Sequence, residues 1–263
     1  MPLSPLLARY DHVLLDLDGC VWVGDQCTPR APEALAELRA AGKAVTFLTN
    51  DSRRSPEEYV RKLWSSGLKA SLEEVVTVGA AIQHALAGRD RDAYVIGSPA
   101  IYRHVSEAGL RIVNGTDRAT EAEVVVIAGY DDLHFAELRA ATHAVLNGAE
   151  MIAAGRDRTF PTAEGLWPGT GAIVAALEYA TGRTARVVGK PDPQMFRTAL
   201  ERLGDGEALV VGDRLESDLH GAAAAGLDAA IVLTGVTSRA QAEAASDPAP
   251  VAPSDASSFT TLA

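Results

Sequence analysis

Short apolar runs recur along the chain, and each stops at a glycine or a knot of small polar residues. Val13-Leu14-Leu15 is followed by Asp16-Leu17-Asp18-Gly19, and Val45-Thr46-Phe47-Leu48 by Thr49-Asn50-Asp51-Ser52. Runs of this kind, bounded by turn signals, read as strands buried on both faces. Between these two runs, Pro29 and Pro32 lead into Glu33 to Arg39, where leucines three apart with charges between them predict an amphipathic helix ended by Gly42. The unit is β-α-β, so its strands should run parallel and their polar ends should meet at one sheet edge. Cys20 to Asp25 reads as a small hairpin or flap beside Asp16 and Asp18. A helix opens at Ser55-Pro56-Glu57-Glu58 and runs to about Ser65, and Ser71 to Glu74 resembles a capping box before a strand at 75–78.

The α/β rhythm continues from residue 80 to 186. Helices are expected at 81–86, 98–108 and 135–146, and strands at 93–97, 110–113, 124–128 and 151–154. Gly165-Leu166-Trp167-Pro168 reads as a turn that, with Gly169-Thr170-Gly171, leads into an apolar helix at 172–179 and hinges this segment. The glycines imitate a dinucleotide fingerprint, but no strand precedes them and no third glycine follows at the required spacing. A strand at 185–188 then ends at Gly189-Lys190-Pro191, and one at 208–211 ends at Gly212-Asp213-Arg214 through Asp218. After a small-residue helix at 220–226 and a strand at 229–233, the chain turns rich in Ala, Ser, Pro and Asp and reads as loosely packed elements or a frayed tail. The expected architecture is α/β, with a doubly wound parallel sheet core from 1–79 and 187–263 and an inserted α/β domain from 80–186.

Composition narrows the function. The 263 residues are 47% hydrophobic and 22% charged, a globular profile. No apolar segment approaches the roughly 18 residues of a membrane span. The N-terminus lacks a signal-peptide pattern, so the cytoplasm is the default location. A net charge of −11 and a pI near 5.0 disfavour nucleic acid and acidic membranes as partners, and an anionic substrate would need local cations. Two cysteines, Cys20 and Cys27, make neither a disulfide framework nor a zinc site and read as reduced packing residues.

The candidate chemistry sits at the strand ends: Asp16 and Asp18; Thr49 and Asn50; Lys190; Asp213 and Asp218. Side chains alternate along a strand, so Asp16 and Asp18 point the same way, and two such acids require a cation or a raised pKa. Hard oxygen donors without cysteine or histidine fit Mg²⁺ rather than zinc. A lysine beside a hydroxyl and an amide suits a phosphate. One carboxylate could attack phosphorus while its neighbour serves as general acid and base.

On Asp16-Leu17-Asp18-Gly19, Thr49-Asn50, Gly189-Lys190-Pro191, Gly212-Asp213-Arg214 through Asp218, and the later Leu233-Thr234-Gly235-Val236-Thr237, the chain resembles the haloacid dehalogenase superfamily of aspartate-nucleophile phosphatases. Within it, the likeness is to the NagD-like, 4-nitrophenylphosphatase-like subfamily IIA, and it covers nearly the whole chain. The resemblance implies a Rossmann-like core, with residues 80–186 as a C2-type cap between the second and third motifs. It implies that Asp16 attacks phosphorus, that Asp18 acts as acid and then base, and that Mg²⁺ is held by the Asp16 carboxylate, the Asp18 carbonyl and the Asp213 carboxylate. Asp218 would orient that shell or Lys190, Thr49 and Asn50 would hold phosphate oxygens, and Lys190 would neutralise charge.

The implied reaction is hydrolysis of a small phosphorylated metabolite, such as glycerol phosphate, phosphoglycolate, a nucleotide or a sugar phosphate. A homodimer is compatible with the resemblance. Substrate selection would fall to the cap, with Tyr130, Asp131, His134, Arg156 and Arg158 as candidates. Asp51 departs from the usual second Asn, and its added negative charge is unhelpful to a phosphate unless it faces Arg53 or Arg54; Cys20 replaces the more usual Thr. Two other readings stand beside this one. A phosphomutase or phosphotransferase could use the same scaffold, and a non-catalytic phospho-ligand binding protein could keep only its pocket.

Overall fold

A computed structural model describes residues 4–162 and 165–251. The chain divides into two compact units, one of residues 1–49, 56–76 and 190–263, the other of 50–55 and 77–189. Both are α/β, built on a five-stranded sheet.

In the first unit the apolar runs become the strands Asp228–Ile231, Ala208–Gly212, His12–Asp16, Ala44–Thr49 and Val75–Thr77, in that spatial order. The pairs that His12–Asp16 makes with its two neighbours are parallel, as is Ala208–Gly212 with Asp228–Ile231. All five residues of His12–Asp16 are buried, as a central strand covered on both faces requires. From that strand the chain proceeds first to one side of the sheet and later to the other. The order therefore reverses beside His12–Asp16, and such a switch point leaves a crevice outside the carboxyl ends of the strands. Val13, Leu15 and Leu17 join Leu35, Leu38, Phe47, Tyr59 and Leu63 in one core, which the helices Ala31–Ala40 and Pro56–Ser65 cover.

The second unit's sheet has the order Arg186–Val187, Glu150–Ala153, Val124–Ile127, Asp92–Ile96, Arg111–Ile112, all parallel. Tyr94, Ile96, Val125 and Ile127 pack there with Val145, Val174 and Leu177 of the helices Phe135–Leu146 and Thr170–Thr181.

One local reading changes. The stretch Gly165–Pro168, read as a turn, is a strand paired antiparallel with Thr159–Thr162, and Phe160 stands opposite Trp167. Cross-strand aromatic pairs favour such a ribbon, and the two flanking prolines hid it in the sequence. Cys20 to Asp25 does turn back as a hairpin, with Trp22–Val23 paired to Gln26–Cys27. The tail expected beyond Thr234 contains the helix Arg239–Ala244, opened by a capping box between Ser238 and Gln241. Further on, the Val251 N–H donates to Ala229 O at 2.8 Å, and residues 252–263 lie outside the described residues. Among the described residues no helix is long and apolar enough to cross a membrane.

Candidate active site

Each polar group of the first unit's site sits where a strand runs out. Asp16 is the last residue of its strand, Thr49 the last of the neighbouring one, and Asp213 follows directly on Ala208–Gly212. A π-helical turn at Leu215–Leu219 then carries Asp218 back to the same place. Lys190 enters from the turn after Arg186–Val187.

The Lys190 ammonium is 3% exposed and bonds to Asp16 Oδ1 and, at 2.7 Å, to Asp218 Oδ1. Burial alone would favour the neutral amine, but the two carboxylates outweigh it and hold Lys190 charged, its pKa raised. Asp218 is itself fixed, because its Oδ2 accepts the Arg214 N–H at 3.0 Å.

Asp16, Asp213 and Asp218 are all buried, and one carboxylate oxygen from each lies within 4.8 Å of the others. Burial pushes the Asp16 carboxyl well above the usual range. Lys190 pulls it back, while Asp218 and Asp213 push it further up. Burial and then Asp218 likewise raise Asp213, to about 6. Asp213 Oδ2 accepts the Val236 N–H at 2.7 Å, whereas its Oδ1 is buried with no hydrogen-bond partner among the described residues. Three clustered acids, one lysine and an unsatisfied buried oxygen form a donor set short of positive charge. A hard divalent cation bound by oxygen would supply it, so the residues fit magnesium. Gly19 and Gly235 flank Asp213 so closely that a Cβ on either would collide with its carboxylate. Thr234 Oγ1 ties the two loops together by donating to Gly19 O at 2.5 Å.

Asp18 is half-buried and faces a different set of groups. Its Oδ1 accepts from Trp22 Nε1 at 2.8 Å, and its Oδ2 from Thr49 Oγ1 at 3.4 Å. Trp22 is fully buried, stacked on Tyr59, with the Lys62 ammonium 4.2 Å from its ring centroid. Sequence reasoning missed Trp22 as a member of the site. Its spacing, four residues after Asp18 across a tight turn, was the available signal. Cys20 lies beneath, buried, its thiol 3.8 Å from Val211 O and pushed up by burial.

Asn50 belongs to the second unit, beside Gly155 and Gly189; a Cβ on Gly189 would stand 2.7 Å from its Oδ1. The second unit's other candidates are tied into local pairs. Tyr130 OH and the His134 N–H both bond to Glu137, fixing the start of the helix Phe135–Leu146. Arg156 holds Glu178 with two bonds, 2.5 and 2.9 Å, and Arg158 is exposed. The added charge of Asp51 does face Arg53, whose Nη1 is 3.1 Å from it. Arg53 also donates to Asp131 at 2.9 Å and lies 3.8 Å from the Phe160 ring centroid. Neither Arg53 nor Phe160 carried a sequence signal for this, because its partners come from distant segments.

Residues 13–111 match the profile of the haloacid dehalogenase-like hydrolases, and residues 187–256 match a second, HAD-hydrolase-like profile. Human chronophin is 37% identical over 260 residues, 92% of this chain and 87% of its own length. The chain belongs to the haloacid dehalogenase-like hydrolases. Its place is in the NagD-like subfamily IIA of that superfamily, and its fold is the superfamily's Rossmann-like core with a cap domain. The D-glycerol 3-phosphate phosphatase of Mycobacterium tuberculosis is 39% identical over 90% of this chain, which spans 66% of that protein's length. The crystal structure of that organism's glycerol phosphate phosphatase in complex with magnesium superposes with a TM-score of 0.86. It is 38% identical, and the match covers 95% of this chain and 75% of the other. The two matched segments together hold Asp16, Asp18, Thr49 and Asn50, then Lys190, Asp213 and Asp218.

Proposed function

We propose that the chain hydrolyses small phosphomonoesters through a phosphorylated Asp16. It is a phosphoric monoester hydrolase whose cofactor is Mg²⁺. The observation that carries the residue assignment is the Lys190 ammonium held between Asp16 and Asp218, beside an Asp213 Oδ1 that accepts no hydrogen bond among the described residues and has Arg214 Nε 4.0 Å away.

A carboxylate oxygen of Asp16 attacks phosphorus and forms an O–P bond as the bond to the leaving oxygen breaks. The Asp18 proton goes to that oxygen. Asp18, now ionised, takes a proton from the water that attacks the phosphoryl group; the O–P bond to Asp16 breaks and inorganic phosphate leaves. The Asp16 and Asp213 carboxylates and the Asp18 carbonyl would hold magnesium, which would supply positive charge against the acids and the phosphate. Lys190 favours the ionised form of Asp16, which burial opposes, and Asp218 holds Lys190 in place. Thr49 and Asn50 bind phosphate oxygens.

Residues 1–79 and 187–263 form the catalytic core in this reading, and 80–186 the cap. The name of the mycobacterial relative favours glycerol phosphate as substrate, to be compared with the nucleotides and sugar phosphates for which other relatives are named. Tyr130, Asp131, His134, Arg156 and Arg158 are the cap residues to substitute for specificity, and Arg53 joins them as the partner of Asp131. Two free thiols, one of them buried, suit the cytoplasm. A homodimer belongs to the same proposal and is tested by light scattering.

Asp16→Asn tests the centre of it. The variant keeps the shape but should lose kcat by roughly 10³-fold or more, as removal of a nucleophile does. Activity within about tenfold of the parent, or full activity after chelation of magnesium, would refute the scheme.

A further inference from the structure

The general acid of this reaction must present one particular oxygen to the leaving group, and the hairpin after Asp18 is built to select it. Leu17 O accepts the N–H groups of Cys20, Val21 and Trp22 at 3.3, 2.9 and 3.2 Å, and the Gly19 N–H donates to Trp22 O at 2.7 Å. This tight turn folds the Trp22 indole back over Asp18. The ring cannot swing away: it is 1% exposed, stacked on Tyr59 with ring planes 3° apart, and covered on its face by Lys62. Lys62 is in turn anchored to Gly24 O at 3.0 Å, so the hairpin and the helix Pro56–Ser65 hold the ring together.

An indole N–H only donates. It therefore needs a lone pair on Asp18 Oδ1, at 2.8 Å, and a proton on that oxygen would compete for its lone pairs and leave a weaker acceptor. Oδ2 meets Thr49 Oγ1 at the longer distance of 3.4 Å. We infer that Trp22 is a positioning residue for the general acid, whose N–H reserves Asp18 Oδ1 as acceptor and so places the transferable proton on Oδ2. The inference rests on the role given to Asp18 above. Trp22 touches neither substrate nor magnesium in this scheme; it acts through Asp18.

Trp22→Phe keeps most of the ring and deletes the donor. It should be compared with Asp18→Asn and the double variant, using kcat/KM for an alkyl phosphate and for 4-nitrophenyl phosphate. The alkoxide is a poor leaving group and needs its proton; the nitrophenolate leaves without one. Trp22→Phe should lower kcat/KM roughly 10–100-fold on the alkyl ester and about threefold or less on the aryl ester, a part of what a general acid contributes. Inhibition by inorganic phosphate should change by less than about twofold, because binding is untouched. In the Asp18→Asn background the same substitution should add less than about twofold, because the residues act as one. An equal loss on both esters, no loss, or a full additional loss in the double variant overturns the role of Trp22. If Asp18→Asn itself does not discriminate between the esters, it is the assignment of Asp18 that fails. Lys62→Met loosens the ring but leaves its N–H, and serves if Trp22→Phe does not fold. It should show the same ester selectivity at about threefold, and its absence counts against the inference.

Discussion

Lys190 and Arg156 are both cations gripped by carboxylates, one in each unit, and their surroundings make them different objects. Lys190 is 3% exposed, held between the buried carboxylates of Asp16 and Asp218. The Arg156 side chain is 46% exposed and embraces Glu178 with two short bonds. The second has the better fork geometry, yet water screens it, and surface pairs contribute about 0–1 kcal/mol. The first owes its meaning to scarcity of water: remove one member and the remaining charge has nowhere to go. A short distance between charges therefore marks a site only where burial and an excess of one sign accompany it.

Lys190→Met should break the comparison most strongly. It strands Asp16 and Asp218 and should cost up to about 3–5 kcal/mol of stability in urea without magnesium, together with activity. A cost below about 1 kcal/mol would make Lys190 no different from Arg156.

Magnesium and pH give the next effect. The folded Asp213 pKa, about 6, is raised by burial and by Asp218. An acid whose pKa is raised by folding favours the fold when protonated, so this stability is present near pH 4 and lost as pH rises through 6. Metal-free protein should accordingly melt lower at pH 7 than at pH 5. Magnesium competes with the same proton, so the rise in Tm that it produces should be large at pH 7 and small at pH 5. Equal rises at both would separate Asp213 from the metal.

Arg156→Gln should do least: under about 1 kcal/mol of stability and little change in kcat. A rise in KM of tenfold would instead turn the exposed pair into a substrate contact and erase the contrast with which it began.

The sequence disclosed one kind of element better than the other. The strand ends at Asp16, Thr49 and Asp213 could be read because an apolar run that stops at a polar cluster has a single physical meaning in a parallel sheet. Lys190 was harder, since its strand is only two residues long, Arg186–Val187, and a single lysine beyond it carries less signal than a pair of acids. The ribbon of Thr159–Thr162 and Gly165–Pro168 was missed because its prolines argue for a turn while the Phe160 and Trp167 partnership forms only across the loop. Trp22 was visible as an apolar residue in a flap, but the direction of its N–H depends on the stack with Tyr59, 37 positions further along. Arg53 is the same case: its contacts with Asp131 and Phe160 are products of the fold.

The bond from Val251 to Ala229 bears on how this molecule lives among its own copies. Asp228–Ile231 is an outermost strand, and outermost strands offer unpaired backbone groups to any neighbour that can align with them. Here Val251 comes back to that rim, its N–H donating to Ala229 O and its side chain packed against the core. Crowded molecules thus meet, on that side, a short rim with one of its carbonyls already taken, a poorer template for fibre growth than a bare one.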